Sequence, residues 1–173
     1  MRYHGSLSAL LAADITLLAE QLGNPAAAEH LAAIRRIQTL AASEAVKPGQ
    51  IIKHSDTLFE YLRITLAHER AEQVRCLHLN CRNELLADEL VTSGSLESAP
   101  FYVREIVRRA IQLGAAGLFV VHNHPSGDPT PSRQDISATR SLAEVAKHFQ
   151  IVIHDHLIVA RDGIISMRAE GKI

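Results

Sequence analysis

The stretch Val120–Asp135, VVHNHPSGDPTPSRQD, sets two histidines and two aspartates directly after an apolar run. Its first half belongs with AAGLFVV (115–121), which is too short and too uniformly apolar for a surface helix. That pattern predicts a central strand buried on both faces. His122 and His124 then fall two apart at the carboxyl end of the strand, so their side chains share one side while Asn123 points to the other. Beyond the loop, SRQD predicts a helix start, with Asp135 in the first turn and able to fold back toward the strand end. Two neutral imidazoles and one carboxylate would leave a zinc ion one net positive charge and an open fourth position, the mark of a catalytic rather than a structural centre. The same four residues also read as a capping box, with Ser132 as N-cap and Asp135 as a short variant of the usual Glu. Three prolines and a glycine in the loop favour the metal reading, because they hold the chain in a fixed path.

Working outward, QVRCLHLN and ELLADELVTSG, joined by NCRN, predict two antiparallel strands. PFYVREIVRRAIQLG is an amphipathic helix with Val103, Ile106, Val107, Ala110 and Ile111 on one face and Gly114 at its end. After the helix that starts at Ser132 come two strands, QIVIHDHLIVA and IISMR, around the tight turn RDG. On the amino-terminal side, SDTLFEYLRITLAHERAE reads as a helix from an N-cap at Ser55 to about Glu72, and KPGQIIKH as a linker. Residues 6–46 are Ala/Leu-rich with helical period, one helix stopping at Gly23 and a second starting at Pro25. The expected organisation is a small α-helical part over 1–45, a linker over 46–54, and an α/β core over 55–173.

With 173 residues, 47% of them apolar, the chain can bury a sizeable core without staples. Two cysteines, Cys76 and Cys81, are too few for a disulfide framework and imply a reduced, cytoplasmic setting. No secretory pattern and no membrane-length apolar run is present, so no membrane partner is expected. The formal net charge of −1 gives no excess of cations for a nucleic acid. The densest basic patch, Arg104, Arg108 and Arg109, reads as a solvated helix face.

HNHPSGDPTPSRQD resembles the JAMM (MPN-type) metalloprotease signature, in which His-x-His is followed by seven residues, Ser, two residues and Asp. With DHLIV downstream and Gly94-Ser95-Leu96 upstream, the chain is similar over about 45–173 to the RadC-like branch of bacterial proteins, formerly described as DNA repair proteins. The resemblance implies an α/β fold with a central mixed sheet flanked by helices, of the cytidine deaminase-like kind. It also implies Zn²⁺ on His122, His124 and Asp135, with Ser132 assisting the tetrahedral intermediate. A hydrolase of this type further needs a glutamate early in the core to take a proton from the attacking water. Glu72, just before the first core strand, fits that position best, and Glu69 is the runner-up; the plain alternative for Glu72 is a solvated helix end. Glu84 and Glu89, in the second strand, fit less well.

A second pair, His154 and His156, also stands at i and i+2 on a strand, but no spaced carboxylate follows it. A structural hydrogen bond near the site is expected of it rather than ligation. LAEQLGNPAAAEHLAAI is similar to the helix-hairpin-helix element that precedes RadC-like domains, which makes DNA the alternative partner to a peptide or protein substrate. Here Asn24-Pro25 replaces a glycine-containing turn, and residues 1–60 hold five Lys/Arg against six Asp/Glu. The expectation is therefore a zinc-dependent hydrolase acting on a peptide or isopeptide bond. A DNA-associated accessory protein with a structural or vestigial centre is the alternative, and an amide-like bond in a nucleobase or small metabolite is a third substrate class.

Overall fold

The computed structural model describes residues 5–52, 56–93 and 99–173. Two of the features read above, Ser55 as an N-cap and the Gly94-Ser95-Leu96 run, lie outside the described residues. The chain divides into two compact units, Met1–Glu44 and Ala45–Ile173.

In the first unit, α1 (Leu7–Leu11), α2 (Ile15–Leu22) and α3 (Pro25–Glu44) follow in succession. The periodicity over 6–23 predicts one helix, but the structure breaks it before Asp14. The Asp14 carboxylate accepts hydrogen bonds from the amides of Thr16 and Leu17 at 2.9 and 3.2 Å, starting a new helix in place of continuing the old one. Gly23, at φ 59°, closes α2 in the left-handed region, and Pro25 opens α3. At the start of α3, Pro25 has no amide hydrogen to give, and the Ala27 amide donates to Asn24 Oδ1.

The second unit is α/β. Its sheet has the order β2-β1-β3-β4-β5, built from β1 (Gln73–Leu79), β2 (Leu85–Ser93), β3 (Gly117–Asn123), β4 (Val152–Ala160) and β5 (Gly163–Ser166). Among the described strands only β3 and β4 pair in parallel, through the crossover helix α6 (Arg133–His148), so the sheet is mixed. All seven residues of β3 are buried, as its apolar run predicts. Ile106, Val107 and Ala110 of α5 (Ala99–Leu113) and Leu142 and Ala146 of α6 pack on the face that carries Leu118 and Val120. The opposite face meets α4 (Asp56–Leu66), where the Tyr61 hydroxyl donates to Asp88 of β2 and Arg75 of β1 holds the other carboxylate oxygen of Asp88. Arg109 is not simply solvated: its guanidinium makes a two-pronged pair with Glu89.

The residues expected as a linker do not run free. Gly49 donates to the Leu85 carbonyl, Leu85 to the Gln50 carbonyl, and Ile52 to the Asn83 carbonyl, so 49–52 lies along the start of β2. Helix α4 ends at Leu66, not near Glu72, and 67–72 is a turning segment. Among the described residues no helix is long and apolar enough to cross a membrane.

Leu118 is fully buried at the centre of this sheet. Leu118→Ala should cost about 2–5 kcal/mol of unfolding free energy through lost burial and the cavity left behind. A urea titration should show a lower midpoint with an unchanged slope. A loss well under 1 kcal/mol would mean that the core does not rest on β3.

Candidate metal centre

Strand β3 delivers His122 to the α6 side of the sheet at its carboxyl end, and the chain continues one residue further in register. The His124 amide donates to the Val159 carbonyl at 2.9 Å, extending the parallel pairing beyond Asn123. His122 is fully buried, and the His124 side chain is 17% exposed. Across the loop, Ser132 caps α6 with its hydroxyl on the Asp135 amide at 3.1 Å. The Ser132 amide donates to Asp135 Oδ2 at 2.7 Å, so the capping box of the sequence forms. It does more than start the helix: it aims the buried Asp135 carboxylate back at the histidines.

The three expected ligands converge. His122 Nε2 lies 2.8 Å from His124 Nε2, Asp135 Oδ1 lies 3.5 Å from His122 Nε2, and Asp135 Oδ2 lies 3.6 Å from His124 Nε2. In a tetrahedral zinc site with bonds of about 2.0–2.2 Å, neighbouring ligand atoms stand about 3.3–3.6 Å apart. The two nitrogen–oxygen distances are of that size but run to different oxygens of Asp135, and the nitrogen–nitrogen edge is shorter. Glu72 stands at the same place: it, His122 and His124 each present a ligand atom within 4.8 Å of the others. The described residues thus put a fourth group, a glutamate, beside the three that the spacing predicts.

The chemistry of the donors fits a cation. His124 Nδ1 is 2.8 Å from the Asp128 carbonyl, an acceptor only, so Nδ1 carries the proton and Nε2 is left as a lone pair. Nδ1 of His122 is occupied by His156 Nε2 at 2.8 Å, which turns Nε2 of His122 to the cleft as well. Burial, with the neighbouring His124 charge, pushes the His122 imidazole down to about 4, against the pull of Asp135, so it is neutral at physiological pH. The Asp135 hydrogen bond is the main reason that His124 is raised above its ordinary value. Burial alone would raise Asp135, but His124, His122 and Ser132 together hold its carboxyl below the usual carboxylate range. A divalent cation would meet the two lone pairs and the carboxylate charge together.

The loop between ligands is held at its turn. Arg161 donates to the Ser126 carbonyl at 2.8 Å, and the Asp162 amide to the Gly127 carbonyl. Gly127 sits at φ 102°, and a Cβ there would come within 2.8 Å of the Arg161 guanidinium, so only glycine suits the position.

Glu72 is half-buried immediately before β1. Burial first, and then the charge of Asp135, raise its carboxyl above the ordinary value, with His124 opposing. Its place is set by Asn123, the residue between the two histidines. Asn123 Oδ1 accepts from the Gln73 amide at 2.8 Å, and its amide group donates to the carbonyls of Ala71 and Glu69 at 3.1 and 3.3 Å. These bonds tie the segment after α4 to the end of β3. Glu69 lies outside the helix and not in a helical turn next to Glu72. The Glu69 carboxylate instead faces Gln73 Nε2 at 3.5 Å. Glu84 pairs with Arg82 and Asn80, and Glu89 with Arg109.

His154 and His156 do not share a face, contrary to the i, i+2 reading. A bulge in β4 lets Leu118 pair with Ile153 but Phe119 with Asp155. His154 falls in the irregularity and stacks on Phe119, with its ring against Gly117. His156 is thereby turned to the α6 side, where it meets His122 and Thr139. The expected hydrogen-bonding role thus falls to His156. Neither Asn123 nor Thr139 gave a signal of its role in the sequence. The only pointer was the alternation that sends Asn123 away from the histidines.

A mixed sheet with a two-histidine, one-carboxylate cluster at the end of its central strand, beside a capped helix, defines the class. The model of the RadC-like JAB domain matches residues 52–172, and the chain belongs to that family.

Asn123→Ala should leave the Gln73 amide and the carbonyls of Glu69 and Ala71 without their partner, at about 1–3 kcal/mol for each buried group so stranded. Amide hydrogen exchange should accelerate at Gln73 more than in β3. Unchanged protection there would show that the 69–73 segment holds itself.

Proposed function

We propose that this chain is a zinc-dependent hydrolase of the JAMM type that cleaves a peptide or isopeptide bond in a protein or peptide substrate. The observation that carries the reading is the convergence of two lone-pair nitrogens and one carboxylate at 2.8–3.6 Å, with Glu72 beside them. His122, His124 and Asp135 would hold the metal. When bound, zinc supplies a Lewis acid with an open position, at which water is acidified toward ~7.

The remaining work falls to side chains. Glu72, its carboxyl raised by burial, accepts a proton from the attacking water as its oxygen bonds to the carbonyl carbon. Glu72 then returns that proton to the leaving nitrogen as the carbon–nitrogen bond breaks. The Ser132 hydroxyl accepts from the Asp135 amide but keeps its own hydrogen, which it can donate to the carbonyl oxygen as charge develops there. Ser132 is exposed, at the side from which a chain-like substrate could approach. Membership of a JAB-domain family supports the reaction class by likeness.

Elemental analysis of the purified chain should find about one zinc per molecule, as a three-ligand site requires. His122→Ala should empty it, and His154→Ala, remote from the cluster, should not. Glu72→Gln should retain zinc while a cleavable peptide or isopeptide substrate is turned over ~10²–10⁴-fold more slowly. Zinc lost on His154→Ala but kept on His122→Ala would contradict the ligand set. Zinc kept with full turnover in Glu72→Gln would take Glu72 out of the reaction. A zinc-replete chain that cleaves none of a broad panel of such substrates would favour a structural centre.

A further inference from the structure

Behind His122 runs a buried chain of hydrogen bonds that ends on the backbone of α6. Thr139 Oγ1 is 2.6 Å from the Asp135 carbonyl and 2.5 Å from His156 Nδ1, and His156 Nε2 is 2.8 Å from His122 Nδ1. His122, His156, Thr139 and Asp135 are each at most 5% exposed, so none of these contacts is shared with bulk solvent.

Proton counting gives the chain a single direction. A carbonyl oxygen only accepts, so the lone hydroxyl proton of Thr139 must lie toward Asp135. Met167 Sδ, at 3.9 Å from the same hydroxyl, is a weak rival acceptor. With its proton committed, Thr139 Oγ1 can only accept from His156, which fixes the hydrogen of His156 on Nδ1. His156 Nε2 is then a bare lone pair and accepts from His122 Nδ1–H. The last consequence is that His122 Nε2 carries no hydrogen and faces His124 and Asp135 as a ligand.

We infer that Thr139, acting through His156, is a positioning residue that sets the metal-binding tautomer of His122. The inference deepens the zinc reading above and rests on it for its functional meaning, while the proton order belongs to the protein alone. The arrangement places the orienting hydroxyl on the same helix as the ligand Asp135, one turn later. Helix α6 therefore contributes one ligand directly and prepares a second from behind.

Replacing the hydroxyl removes what enforces this order. In Thr139→Val, a side chain of the same shape, His156 Nδ1 has no partner in either tautomer. The His122 hydrogen is then free to move to Nε2, into the metal position, with His156 Nε2–H donating to His122 Nδ1. Outer partners of this kind are commonly worth 10–100-fold in metal affinity. Thr139→Ser restores the hydroxyl and should restore the order.

The experiment uses the full chain and two readouts. Competition with a chelator should show zinc bound ~10–100-fold more weakly by Thr139→Val than by wild type, and Thr139→Ser within a few-fold of wild type. Nitrogen-15 NMR of the metal-free proteins should place the His122 hydrogen on Nδ1 in wild type and Thr139→Ser, and shift it toward Nε2 in Thr139→Val. If Thr139→Val fails to fold, His156→Leu removes the acceptor for His122 Nδ1 and should give the same loss of affinity. Wild-type affinity in the valine variant, or a His122 hydrogen that stays on Nδ1 there, overturns the inference. If wild type itself binds no zinc, the metal reading fails, and the NMR comparison still decides the proton order.

Discussion

Three atoms that repel one another are held together at the carboxyl end of β3. Nε2 of His122 and Nε2 of His124 both present lone pairs, and the Asp135 carboxylate adds a negative charge, with every separation at or below 3.6 Å. Two of these three residues are essentially out of solvent, so water cannot screen them. Such a cluster persists only if something positive sits among it or if the surrounding structure forces it. The fold supplies the force: a strand paired on both sides, a capped helix, and a loop pinned by Arg161. What it leaves for a ligand to supply is the charge.

The tripeptide His122-Asn123-His124 divides its labour by the alternation of a strand. The histidines turn toward α6 and Asp135. Asn123 turns toward the other side and holds the segment 69–73 by its backbone, which sets Glu72 at the edge of the same cluster. Ligands and prospective base are thus positioned from a single strand end through opposite faces. A change in the register of β3 would disturb both together. Burial then does the chemical tuning, holding His122 neutral and lifting Glu72 above an ordinary carboxylate.

Much of this was legible because local pattern and tertiary demand agree. The apolar run 115–121 has only one comfortable place, the middle of a sheet, and the proline-rich loop and SRQD carry their own turn and capping chemistry. The expectations failed where a distant partner overrode the local signal. Helical period continues through 67–72, yet α4 ends at Leu66, and Asn123, some fifty residues away, binds the Glu69 and Ala71 carbonyls. A strand's alternation puts His154 and His156 on one side, but a single bulge sends them to opposite sides. Asp14 looked like one polar position of a helix and acts as the cap of a new one. Thr139 was invisible because a threonine inside a helix has no motif. Its meaning comes from which two atoms its hydroxyl touches.

The central claim is an open zinc site made by two imidazoles and one carboxylate. Zinc K-edge X-ray absorption on the metal-loaded chain tests it most directly. The account predicts a four-coordinate shell of nitrogen and oxygen at about 2.0–2.2 Å, with multiple scattering from two imidazoles and no sulfur. A sulfur shell, or scattering from three or four imidazoles, would place the metal on other residues and contradict the site described here.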